Sequence, residues 1–292
     1  MTPTEHCPDL AKVLGLSDLY LKREDLHKYG SHKGRSIPTM IDHYYKNGDR
    51  RFVISSSGNA ALAAALYVIE LNNKNSETID LNIFVGKNIT EYKLEKLRKV
   101  ADDSNGHVQV LIKERTLQAL SQAVEEGWRS LRQSTDDVAL VGYKSLAEEL
   151  SKIKKAGAVF IGTSSGTTAE ALAEYFIKNK LPIQVHIVQT SSCHPLSDEF
   201  ENYDGDNEKS IADAIVSLTS QRKSKLTPLI KETGGYGWTA SNTEIRTAKE
   251  LVQKHANLDI SNNSALSVVG AMQSVYRDWK IKGAVICLVC GD

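Results

Sequence analysis

Net charge of either sign is missing from this 292-residue sequence: 36 Lys and Arg stand against 36 Asp and Glu, for a formal +0. Without a basic excess there is no field to gather a polyanion, so a nucleic-acid partner is not expected. Long apolar runs are missing too. The longest, residues 60–71, falls well short of the ~20 residues of a membrane span and is interrupted by Glu70. The first ten residues carry Glu5, His6 and Asp9 and no apolar stretch, so no secretory signal and no membrane association are expected, and the reading is cytoplasmic. Four cysteines, Cys7, Cys193, Cys287 and Cys290, are too few to frame a chain of this length with disulfides. The eight histidines are scattered without ligand spacing, and Cys193-His194 alone does not make a metal site; none is expected. Repeats, low-complexity tracts and Pro-rich linkers are absent, so composition marks no domain boundary.

What the chain does have is an alternation. A strand near 19–22 is followed by a polar turn over 24–34 and a helix over 36–46. A strand at 52–54 breaks at Ser55-Ser56-Ser57-Gly58-Asn59 and leads into a helix over 60–71. Strands at 81–85, 108–112, 138–141, 158–161, 183–188 and 285–289 are interleaved with helices over 92–100, 117–131, 144–154 and beyond 167. Residues 204–209 read as a polar loop. Strand, polar small-residue loop and helix in repeated order predict an α/β fold with parallel sheets and crossover helices.

Three of the connecting loops carry chemistry. Lys22-Arg23-Glu24-Asp25 followed by Gly30-Ser31-His32-Lys33-Gly34-Arg35 puts a lysine amine between glycines ahead of a helix. A lysine that acts as a nucleophile needs an anchored position and a lowered pKa, which burial and neighbouring cations supply. Alone, the segment reads more readily as a solvated basic loop. Ser56-Ser57-Gly58-Asn59 precedes an Ala-rich helix, where free N–H groups and hydroxyls suit a carboxylate or, alone, an ordinary helix cap. Gly162-Thr163-Ser164-Ser165-Gly166-Thr167 lies between a strand and a helix and makes a nest for a phosphate. It lacks the lysine of a P-loop and the glycine spacing of a dinucleotide fingerprint, so a monophosphate fits better than a nucleotide.

Taken in order, these loops resemble the pyridoxal-phosphate-dependent enzymes of fold type II, the family of threonine synthase, serine/threonine dehydratases, cysteine synthase and tryptophan synthase β. The resemblance runs over most of the chain, with Lys22 to Arg35 and Ser56-Ser57-Gly58-Asn59 its most specific pieces. It implies two lobes, each a mainly parallel sheet with helices on both faces: 1–38 with 145–292 as the large cofactor-binding domain, and 39–144 as a smaller domain carrying the Asn59 loop. It implies that Lys33 holds pyridoxal 5'-phosphate as a Schiff base and that Asn59 bonds the ring's phenolic oxygen. Gly162 to Thr167 would receive the phosphate, and Ser56, Ser57, Gly58 and Asn59 the substrate carboxylate. Cys290, at the end of the last strand, stands where the family places a neutral group against the pyridine nitrogen. A neutral thiol leaves the ring a weaker electron sink, which suits elimination at Cβ.

The resulting expectation is a lyase acting on a small amino acid, of the threonine synthase or threonine/serine dehydratase type, working as a homodimer. Gly142-Tyr143-Lys144-Ser145 is similar to a segment of threonine synthases. Cysteine-synthase-like replacement is the second reading. A cofactor-binding regulatory protein without activity is the third, motivated by serines where glycines predominate in the phosphate loop. Gly234-Gly235-Tyr236-Gly237 is read as a loop, and Trp128, Trp238 and Trp279 as packing residues.

Overall fold

A computed structural model describes residues 1–205, 208–215 and 217–291 and divides the chain into two compact units, Met1–His27 with Tyr143–Asp292, and Lys28–Gly142. Of the loop expected over 204–209, Asp206 and Asn207 lie outside the described residues.

In the first unit, strands β1 (Thr4–His6), β2 (Leu19–Arg23), β7 (Ala156–Gly162), β8 (Gln184–Thr190), β9 (Gly237–Ala240) and β10 (Ala284–Val289) form a sheet ordered β1-β2-β10-β7-β8-β9. Only β1 runs antiparallel, against β2; the other described neighbours are parallel. A sheet covered on both faces needs near-continuous apolar strands, and β10 is buried at every residue. Alternation sorts its two faces. Leu19, Leu21, Ala158, Phe160, Val188, Val285, Cys287 and Val289 join a core with helices α1 (Pro8–Leu14), α10 (Asn242–Ala256) and α11 (Asn262–Tyr276). Lys22, one residue out of phase, points to the other face, where its Nζ meets Glu149 of α7 (Lys144–Ser151) at 2.6 Å; α8 (Thr167–Lys178) packs on β8 and α9 (Lys223–Glu232) on α8.

The second unit is a four-stranded parallel sheet, β5 (Val108–Lys113), β4 (Asp80–Gly86), β3 (Arg51–Ser55) and β6 (Arg129–Ser130) in that order. Phe52, Ile54, Ile83 and Val85 face α3 (Asn59–Lys74) and α4 (Glu91–Asp102), whereas Val53 and Phe84 face α5 (Thr116–Glu125). Helix α2 (Lys33–Lys46) packs on α3 and α6 (Val138–Gly142).

Two sequence expectations are corrected. Residues 138–141 are not a strand but the body of α6. A four-residue apolar run has no period of its own, and the Asp136 carboxylate accepts from Val138 N at 2.9 Å, starting a helix. The helix expected over 117–131 ends at Glu125, because Gly127 turns the chain at φ +87 and Trp128 N bonds back to Ala123 O; β6 then joins β3. Residues 210–283, left without elements by the sequence reading, hold α9, β9, α10 and α11.

His186 sits on β8 with no exposed surface, stacked on Phe160 and accepting from Trp238 Nε1 at 3.1 Å. Burial pushes its imidazole from the usual 6.5 down to about 3. The unfolded chain therefore takes a proton below pH 6.5 that the native fold refuses, so stability is full above 6.5 and falls as the pH drops toward 3. Urea unfolding at pH 7 and pH 4 is expected to show His186 alone costing about 3 kcal/mol. In His186→Phe the loss over that interval shrinks by that amount; equal losses in both proteins would refute the assignment.

Candidate functional site

In parallel α/β sheets ligands gather at the carboxyl ends of strands, where loops meet helix starts. In the first unit, β7, β8 and β10 all end at one edge, and that edge carries Gly162–Thr167, Gln189 and Cys290.

Gly162 is the last residue of β7, and a Cβ there would lie 2.7 Å from Asn263 O as α11 begins beside it. Thr163 continues the sheet: its N–H bonds Val188 O and its hydroxyl donates to Ile161 O. Three residues, Ser164, Ser165 and Gly166, therefore form the loop proper before α8 begins at Thr167. Gln189 Nε2 donates to the carbonyls of Thr163 and Ser164, each at 3.2 Å, and Ser220 Oγ to that of Ser165 at 2.9 Å. With these acceptors committed to the protein, and the Ser165 and Thr167 hydroxyls 3.1 Å from each other, what the loop can offer a guest is chiefly the Ser164 hydroxyl and peptide N–H groups at the positive end of α8. Gly166 caps α8 at φ +90, and a Cβ there would press within 2.4 Å of Leu226 on α9.

Cys290 follows β10 and is buried. Its N–H donates to Ser264 Oγ at 3.0 Å, and Gly291 O accepts from Ser261 Oγ at 2.7 Å, so the start of α11 fixes the strand end. Cys287 lies three residues earlier on the α11 side, its thiol donating to Ser267 O and raised far above its usual range by burial. Neither cysteine is in a disulfide.

In the second unit Lys33 is the first residue of α2, so the helix begins three residues before its apolar period shows. Its N–H bonds Ser31 Oγ at 3.2 Å. The preceding loop is pinned to α3: Glu70 accepts from Tyr29 Oη at 2.6 Å and from Lys28, and is pulled down to about 2 by Lys74, Tyr29 and Lys28 together. Gly30 turns at φ +81 against Leu62 of the same helix. Behind Lys33, Ser36 Oγ donates to Ala139 O at 2.8 Å, and a Cβ on Gly142 would lie 2.3 Å from Arg35 O. So Gly142 is a close-approach glycine that lets α6 abut the first turn of α2.

Asn59 opens α3 just beyond β3 and is partly exposed. Before it, Ser56 N donates to Phe84 O, Ser56 Oγ accepts from Gly58 N at 3.3 Å, and Ser57 is exposed. The structure thus holds Lys33 and the Ser56–Asn59 loop in the second unit, and the 162–167 loop with Cys290 in the first.

Lys22-Arg23-Glu24-Asp25 does structural work. Lys22 also donates to Thr2 O, Arg23 pairs with Glu5 and Asp25, and Glu24 accepts from Thr2 Oγ1, tying the N-terminal segment to the sheet. Gly234–Gly237 leads into the opposite, amino-terminal end of β9, beside a pocket of about 340 Å³ lined by Phe200, Tyr236 and Trp279. Gln189, Ser220 and Ser264 escaped the sequence reading. A buried glutamine ending an apolar strand is the signal that could have found the first.

Taken unit by unit, the residue chemistry fits an aldehyde-bearing pyridine phosphate: the first unit has N–H donors at the start of α8 and a thiol at a strand end, and the second has a primary amine at the start of α2. Among the described residues no cluster of His, Cys, Asp and Glu could hold a metal ion, and no helix is long and apolar enough to cross a membrane.

A family profile described as "Pyridoxal-phosphate dependent enzyme" matches residues 1–291. Threonine synthase of Methanocaldococcus jannaschii is 24% identical over 99% of this chain and 74% of its own length. Human L-serine dehydratase/L-threonine deaminase is 26% identical over 56% of this chain and 49% of its own. Among solved structures, a pyridoxal 5'-phosphate-dependent aspartate racemase superposes with a TM-score of 0.83 at 21% identity, over 99% of this chain and 89% of the other. The expected two-lobed α/β architecture is that of these structures.

Proposed function

The chain belongs to the pyridoxal-phosphate-dependent enzyme family, and on that premise we propose that it is a lyase that eliminates or replaces a substituent on a small amino acid. Its cofactor is pyridoxal 5'-phosphate, which when bound supplies the electron sink that makes the substrate's Cα–H acidic. Within the proposal, Lys33 carries the cofactor through its Nζ and, once displaced by the substrate amine, takes the Cα proton at that same atom. Ser56, Ser57, Gly58 and Asn59 hold the substrate carboxylate, with the Asn59 amide also turned to the ring hydroxyl. Gly162 to Thr167 keep the phosphate.

One observation supports the choice of reaction: Cys290 is buried at the end of the last strand, where within the proposal a thiol, rather than a carboxylate that would hold the ring nitrogen protonated, faces that nitrogen. A milder sink favours prompt loss of a substituent at Cβ over a long-lived carbanion. Release of the product to water would make the enzyme a threonine/serine dehydratase; capture of a nucleophile would make it a synthase. The threonine synthase that matches nearly the whole chain supports the synthase form.

The test incubates the cofactor-loaded enzyme with L-threonine, L-serine, O-phosphohomoserine and O-acetylserine plus sulfide. 2-Oxo acid, threonine with released phosphate, cysteine and the D-enantiomers are measured. 2-Oxo acid or threonine is the expected product. Cysteine alone points to cysteine-synthase-like replacement, D-amino acid alone refutes the proposal, and a coloured protein inert to every substrate supports a regulatory role.

A further inference from the structure

Glu170 is fully buried in the first turn of α8, one turn beyond the 162–167 loop. A carboxylate there is unexpected if the loop receives a phosphate dianion, because both anions draw on the same helix end. Its partner is Arg222, the residue that caps α9, whose Nη1 donates to Glu170 Oε2 at 3.1 Å with 3% of its side chain exposed. The other carboxylate oxygen, Oε1, is buried with no hydrogen-bond partner among the described residues.

Arg222 is also tied to the loop itself. Its N–H bonds Ser220 Oγ at 3.2 Å, and Ser220 donates onward to Ser165 O; one turn later Leu226 of α9 closes over Gly166. One short segment therefore closes the loop and brings the cation that offsets the carboxylate behind it. Buried charges that serve packing alone are readily replaced by apolar side chains. This pair is placed where its balance bears on an anion.

We propose that Glu170 and Arg222 are positioning residues that set the charge of the phosphate loop, and through it the preference for a phosphorylated cofactor. Arg222 cancels most of the Glu170 charge, and the incompletely bonded carboxylate leaves a residue of negative potential that moderates phosphate binding. The inference rests on Gly162 to Thr167 being the phosphate site.

The pair predicts effects of opposite sign, which a purely structural role does not. Apo protein is titrated with pyridoxal 5'-phosphate and with pyridoxal, which lacks the phosphate, following visible absorbance. The ratio of the two affinities is the readout. Arg222→Gln lowers the ratio roughly 10- to 100-fold, Glu170→Gln raises it, and the double variant returns it to near the wild-type value. Inorganic phosphate competes less well with pyridoxal 5'-phosphate in Arg222→Gln and better in Glu170→Gln. If Arg222→Gln fails to fold, Glu170→Gln still decides the sign. A fall in both affinities alike, or a lower ratio in Glu170→Gln, overturns the proposal. If Ser164→Ala/Ser165→Ala leaves the ratio at wild type, the loop is not the phosphate site and the underlying reading fails instead.

Discussion

Lys33→Ala protein, mixed with pyridoxal 5'-phosphate, gains no visible band, retains no cofactor after borohydride treatment and gel filtration, and loses at least about 10³-fold in turnover. The size of the effect follows from the proposed mechanism, in which one atom serves twice, as covalent anchor and as proton acceptor. The fold has little reason to object to the change. Lys33 is only partly buried, its backbone N–H bond to Ser31 survives, and alanine is the better helix former at the start of α2. Unfolding midpoints of variant and wild type should therefore agree closely without cofactor, and diverge only when the cofactor stabilises the wild type. An adduct fixed by borohydride in the variant would show that another lysine carries the cofactor. Lys28, the nearest lysine in sequence, is held to Glu70 at 3.0 Å and is the natural control.

What surrounds Lys33 shows which parts of such a site a sequence can disclose. The residues meant to touch a ligand stood out because they break a pattern: a Gly-flanked lysine after a charged strand end, and small hydroxyl residues between an apolar strand and a helix. The residues that hold them in place did not. Gln189 makes four hydrogen bonds across the base of the 162–167 loop and around 196–197, yet in sequence it is one polar residue at the end of β8. Ser264 fixes the Cys290 peptide across 26 residues of chain, a pairing no local signal encodes. Glu70 appeared only as an interruption of an apolar stretch, although it pins the loop that leads to Lys33.

The fold itself divides along similar lines. Strands buried on both faces, such as β7, β8 and β10, are legible because burial forces a continuous apolar run. The run at 138–141 is equally apolar but too short to declare a period, and the Asp136 cap decided it. The region 210–283 went unread because its helices follow little compositional contrast, even though Ser241-Asn242-Thr243-Glu244 is a capping box in the sequence and in the structure. The match of β10 to β7, which puts Cys290 on the same edge as the 162–167 loop, joins segments more than 120 residues apart and lies beyond any local pattern.

Gly166→Ala is expected to lower the affinity for pyridoxal 5'-phosphate by roughly 10- to 100-fold and to destabilise the apoprotein by about 2–4 kcal/mol. Two costs add. A φ of +90 strains any residue with a Cβ, and the new methyl would press within 2.4 Å of Leu226 Cδ2 and 3.3 Å of Leu196 Cδ1. Leu226 has no exposed surface into which to retreat, so α9 must shift, taking with it the Arg222-to-Ser220 segment that bonds the Ser165 carbonyl. The loop would then lose both its helix cap geometry and its outer support. Gly58→Ala is the matched control: its Cβ would meet nothing within 4 Å and its φ of −127 is open to every residue, so stability should hold within about 0.5 kcal/mol. Adding Leu226→Ala to Gly166→Ala separates the two costs, because it removes the clash and leaves the strain. Cofactor affinity should then recover in part but not to the wild-type value. Full recovery would mean that the left-handed turn is dispensable, and no recovery would mean that it alone shapes the loop. Unchanged affinity in Gly166→Ala itself would remove this loop from the cofactor site.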